Sequence, residues 1–208
     1  MRIAPLECGL SPIGASLLEA FLLSTGIVAL AEIGDKTQLL AFVLAARFRK
    51  PWPIIWGILA ATIVNHAFAG AVGAWLTSLV SPAFMRWILA GSFAAMAVWM
   101  LIPDKLDDDD TAAARRDRFG VFGTTLVAFF LAEMGDKTQI ATVALAAKYA
   151  EFWWVVAGTT LGMMIANVPA VIVGDKLAHK LPVHIVHRVA ALIFLVLAVL
   201  LVLVPNAS

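Results

Sequence analysis

The heptapeptide Glu-x-Gly-Asp-Lys-Thr-Gln occurs twice, at residues 32–38 and 133–139, each time inside a long apolar stretch. The copies are 101 residues apart, and eleven of the nineteen positions from Leu30 to Phe48 are identical to those from Leu131 to Tyr149, which marks a duplication. Each copy places two acids and a lysine where lipid is expected. A charge facing lipid at the bilayer centre costs about 2.5–3.5 kcal/mol, so six of them scattered over lipid-facing surfaces would cost on the order of 18 kcal/mol. They must face one another or a wet cavity, and function is expected where the two copies meet.

With 62% hydrophobic and 14% charged residues, the chain departs from an ordinary soluble domain, which carries about 25% charged residues. It reads as an all-α integral membrane protein. Its 208 residues suffice for six spans of about 20 residues each, with nothing left for a soluble domain. A single cysteine, Cys8, excludes an internal disulfide and a cysteine-built metal site. Only Arg2 is basic among the first twelve residues, which lead straight into the stretch carrying the first motif, so a cleaved signal peptide is not expected.

Apolar runs cover residues 13–46, 53–77, 82–102, 119–147, 152–174 and 187–204. If these are six crossings, ten basic residues fall after the first, third and fifth (Arg47, Arg49, Lys50; Lys105, Arg115, Arg116, Arg118; Lys176, Lys180, Arg188), against Arg2, Arg86 and Lys148 on the other side. The positive-inside rule then puts both termini outside the cytoplasm. Bases so dispersed are not those of a nucleic-acid binder.

The expected units are residues 1–102 and 119–208, each with three spans, joined by a hydrophilic cytoplasmic linker at 103–118 that contains Asp107 to Asp110. That acidic run lacks the spaced ligands and turn glycine of a calcium loop. Three is odd, so the second unit enters the membrane opposite to the first: an inverted-topology repeat, which in secondary transporters places the binding site at the interface of the halves. As one straight helix the first run would be about 50 Å long, well beyond a ~30 Å hydrocarbon core. A kink or break is expected at Gly34 and Gly135, since glycine disfavours helix by ~1 kcal/mol. Gly57 pairs with Gly158 and His66 with Asn167 at the same 101-residue offset. Small residues in the second and fifth runs read as close helix packing, and Pro169 is expected to kink the fifth and free a carbonyl.

In each motif the acids are three residues apart and share a face of a near-helical backbone. Glu32, Asp35, Glu133 and Asp136 can thus converge on one ion, with hydroxyls from Thr37 and Thr138 and amide oxygens from Gln38 and Gln139. Such hard oxygen donors suit manganese, calcium or magnesium; zinc and copper call for imidazole or thiolate, and one histidine, His66, does not change that ranking. Four carboxylates with Lys36 and Lys137 sum to minus two. One divalent cation or two protons neutralise that, which makes the site a candidate for proton-coupled antiport. The lysines either pair with an acid when metal is absent or reach a watery vestibule. A salt-bridge knot is the competing structural reading, and a poor one, because burying charges costs as much as pairing returns. The seven tryptophans read as interfacial anchors, and His179, His184 and His187 as a loop cluster before the last span.

On these motifs, and on the acidic linker and the segment Ala166 to Ala170, the chain resembles the Golgi-type calcium/manganese:proton antiporters and their bacterial manganese-exporter relatives. The resemblance implies manganese export or calcium transport against protons, with no resident cofactor and no enzymatic activity. It puts the cation-binding acids at Glu32, Asp35, Glu133 and Asp136, to which the reading of the residues themselves adds Lys36, Lys137, His66 and Asn167 in support. No long extension of the organellar kind is expected before the first motif, which favours a bacterial inner membrane; with the charge distribution above, both termini are then expected in the periplasm. An intramembrane aspartyl protease using Asp35 and Asp136 would not need the other motif residues duplicated. An amino-acid exporter would not need so acidic a site.

Overall fold

The computed structural model describes residues 12–102, 119–173 and 183–203, and every element among them is helical. Eight helices follow in order: α1 (Pro12–Glu32), α2 (Lys36–Phe48), α3 (Pro51–Leu79), α4 (Pro82–Trp99), α5 (Gly120–Glu133), α6 (Lys137–Tyr149), α7 (Phe152–Val173) and α8 (Val183–Leu203). The linker expected at 103–118 lies outside the described residues. Four helices, α3, α4, α7 and most of α8, are each long and apolar enough to cross a bilayer; α1 and α2 make a fifth candidate as a pair bent by 68°. The counterpart of α1 in the second half, α5, is apolar but has only 14 residues.

Both expected breaks are present, and the motif residues explain them. Gly34 (φ 84°) and Gly135 (φ 76°) take left-handed backbone that a side chain would strain. Asp35 and Asp136 then adopt nearly identical extended dihedrals (φ −76° and −77°, ψ 167° in both) as the N-caps of α2 and α6. Those two helices also end alike, in left-handed residues at Arg49 (φ 51°) and Ala150 (φ 55°). Across Pro169, α7 remains a single helix.

The halves pack crosswise. The first helix of each runs along the long helix of the other, α1 on α7 and α5 on α3, while α4 pairs with α8. The seams match residue for residue. A Cβ added to Gly57 would lie 2.8 Å from the Thr125 Cβ and 2.9 Å from the Phe122 carbonyl oxygen; one added to Gly158 would lie 3.0 Å from the Ser24 Cβ and 2.5 Å from the Phe21 oxygen. Each contact maps onto the other under the 101-residue shift. Phe93 and Phe194, equivalent under the same shift, meet each other with ring centroids 6.0 Å apart. Trp52, Trp56, Trp75, Trp87, Trp153 and Trp154 are exposed, which suits interfacial anchors in a membrane and no soluble surface.

Candidate metal centre

Each motif residue has a local task before it has a chemical one. Glutamate closes the first helix of the half: the Glu32 and Glu133 carbonyls accept the Asp35 and Asp136 amides at 3.0 Å. Glycine makes the turn. The glutamine four residues on reaches back, so that Gly34 N–H donates to Gln38 Oε1 at 2.8 Å and Gly135 N–H to Gln139 Oε1 at 2.7 Å. Gln38 also donates through Nε2 to the Ala166 carbonyl at 3.0 Å, one turn before Pro169. The Asp35 side chain accepts the Thr37 amide at 3.4 Å, a capping arrangement favoured by the positive end of the helix dipole.

These turns bring acids of both copies together. Glu32, Asp35 and Asp136 are all buried, and one carboxylate oxygen from each lies within 4.8 Å of the others. Glu133 is equally buried and turned elsewhere: its Oε1 lies 2.6 Å from His66 Nε2, and its Oε2 accepts Asn65 Nδ2 at 3.2 Å. Glu32 is held from both halves, its Oε2 accepting Thr37 Oγ1 of its own motif and, from the opposite half, Asn167 Nδ2 at 3.3 Å. Thus His66 and Asn167, matched in the sequence, each reach the glutamate of the other copy. Thr37 and Thr138 are fully buried beside the acids. Three oxygens here, Glu32 Oε1, Thr138 Oγ1 and Asn167 Oδ1, are buried without a hydrogen-bond partner among the described residues. Hard oxygens lacking donors are what a hard cation seeks.

The lysines differ. Lys137 is fully buried and donates to the Ile102 carbonyl at 3.1 Å; Lys36 is half-buried. Sequence reasoning missed Asn65, whose counterpart is Ala166, so the repeat gives no signal there. It also set His187 in a loop, whereas His187 is a buried residue of α8 with Nε2 2.8 Å from the Ile33 carbonyl. His184 is exposed on the same helix, and His179 lies outside the described residues.

A profile of the family described as "Divalent cation/proton antiporter GDT1" matches residues 20–108 and 121–207. The chain belongs to this family. Both motifs and all eight of the expected oxygen-bearing residues fall within the matched blocks. Among the relatives of this GDT1-family chain is a Vibrio cholerae protein described as "Putative manganese exporter", 49% identical over 183 residues, which cover 88% of this chain and 90% of that one. The divalent cation/proton antiporter of Saccharomyces cerevisiae is 25% identical over 238 residues, covering 89% and 84%. A GDT1-like protein of Synechocystis is 29% identical over 209 residues, covering 88% and 96%. No solved structure matches.

Proposed function

We propose that this chain exports manganese from the cytoplasm in exchange for protons, with Glu32, Asp35 and Asp136 as the acids that grip the cation. The observation that carries the reading is the convergence of carboxylates from both copies within 4.8 Å. At that spacing each pair of like charges repels by about 3.5 kcal/mol at an effective dielectric of ~20. A divalent cation relieves the repulsion, and so do protons, so that the two compete and loading one expels the other. Thr37, Thr138 and the orphan oxygens of Glu32 and Asn167 complete a hard-oxygen shell, while Glu133 stands beside it, held by Asn65 and His66. The clasps formed by Gln38 and Gln139 shape the turns. The 49% identical relative described as a manganese exporter favours manganese; calcium is the competing cargo of the same donor set.

The proposed architecture is two inverted three-crossing repeats, with α1–α2 and α5–α6 as broken crossings. The crosswise seams at Gly57 and Gly158, and the meeting of Phe93 with Phe194, support a two-fold relation between halves. The distribution of basic residues supports periplasmic termini in a bacterial inner membrane. The test is flux into proteoliposomes with manganese, calcium and magnesium in turn, with and without an imposed pH gradient. Manganese flux driven by the gradient and lost in Asp136→Asn is the expected result. Gradient-driven calcium flux alone would reassign the cargo, and flux indifferent to pH would remove the exchange.

A further inference from the structure

The two motif breaks are shaped alike but are not held alike. In the first, the carbonyl of Ile33, between the end of α1 and the turn glycine, faces His187 Nε2 at 2.8 Å. No described backbone N–H reaches this carbonyl. Helix α1 has ended and α2 begins with its own cap, so the Ile33 oxygen depends on a side chain for a partner. A carbonyl only accepts, so His187 Nε2 carries the hydrogen. The imidazole is 8% exposed and comes from α8, the last helix of the opposite half, which otherwise packs on α4 and along α1.

The residue equivalent to His187 under the 101-residue shift is Arg86, on α4. Its guanidinium lies over the Trp87 ring, 5.4 Å from the centroid, and its Nε is buried without a hydrogen-bond partner among the described residues. No described bond joins Arg86 to the Met134 carbonyl, the counterpart of Ile33 O. Surface follows the same asymmetry: Met134 and Gly135 are exposed, whereas Ile33 and Gly34 are half-buried.

We infer that His187 is a positioning residue for the metal centre: by donating to the Ile33 carbonyl it fixes the first motif's turn, and with it the directions of Glu32 and Asp35, from the opposite half of the protein. The contribution of this bond to transport rests on the manganese reading above; the bond's hold on the turn does not. Without that donor the half-buried Ile33 carbonyl is left unpartnered, so the turn should open about tenfold more often when the bond is gone.

The decisive comparison is His187→Gln against His187→Asn in the full-length protein. Both are polar amides, but only the longer places an N–H where the imidazole Nε2 sits. Hydrogen exchange at the amides of Gly34, Asp35 and Thr37 is followed in detergent, with amides of α3 and α7 as the measure of intact fold. His187→Asn should speed exchange at the turn about tenfold and leave α3 and α7 unchanged, while His187→Gln stays within about twofold of wild type. Manganese flux should follow the same order, about tenfold down for Asn and within about threefold for Gln. Exchange at the turn unchanged in His187→Asn, or raised equally in both variants, overturns the inference. So does normal flux in a variant whose turn has loosened. An exchange difference in a wild-type background that moves no manganese retires the transport reading and leaves the clamp standing.

Discussion

Gly158→Ala probes how closely the metal centre depends on the fit of α1 against α7. The added Cβ would lie 2.5 Å from the Phe21 carbonyl oxygen and 3.0 Å from the Ser24 Cβ. An ordinary contact of that kind begins at 3.4 Å, so the helices must part by roughly 0.9 Å, and overpacking of this sort costs about 1–3 kcal/mol. Against that stands a gain of about 1 kcal/mol in helix propensity, which leaves a net loss near 1 kcal/mol and a fall of about 2–4 °C in melting temperature for a chain of this size. The same seam carries the 3.3 Å bond from Asn167 to Glu32, already long enough that such a separation breaks it. Gly26→Ala is the control: nothing lies within 4 Å of its added Cβ, so it keeps the propensity gain alone. Thermal unfolding in detergent, followed by intrinsic tryptophan fluorescence, should rank Gly158→Ala below wild type and Gly26→Ala at or above it, with manganese flux reduced only in the first. Equal melting temperatures for the two alanines would refute the argument.

Other changes separate the roles within the centre. Removing one of the three clustered charges, as in Asp35→Asn, should weaken manganese binding by at least about 2.7 kcal/mol, a hundredfold by titration calorimetry; a tenfold loss or less would remove Asp35 from the shell. Glu133→Gln should raise the half-saturating manganese concentration less than Glu32→Gln, since Glu133 faces Asn65 and His66, and the reverse order in flux assays would place the cation nearer the second copy. Gln139→Ala leaves the Gly135 N–H without its acceptor, a loss of about 1 kcal/mol, visible as faster hydrogen exchange at Gly135 with little change in α8. If protons and cation share the carboxylates, manganese binding should release protons into weak buffer, and calorimetry in buffers of different ionisation enthalpy would show no such release if they do not.

The repeat made most of the helical plan legible. Glycine among charges in an over-long apolar run located both breaks, and the offset of 101 residues paired Gly57 with Gly158 and His66 with Asn167 before any contact was known. Sequence spacing could say that Glu32, Asp35, Glu133 and Asp136 share faces. It could not say that three of them converge while Glu133 turns to Asn65 and His66, because that choice is made by rotamers packed across the seam. The glutamines offered oxygens on paper, and those oxygens lie on glycine amides. His187 was misplaced for a related reason: the helix it belongs to begins before its own apolar run, and its partner is a backbone atom that leaves no trace in composition.

The glutamine–glycine clasp bears on what a carrier must do when it lets go. Because the bend in each motif is tied by amide to backbone, its curvature does not need an ion to persist. On the reading proposed above, departure of the cargo would leave an acid-lined nest whose bend is already tied, ready for the next occupant without refolding. What would then change hands in each turn of the cycle is charge, while the contour of the vessel is kept.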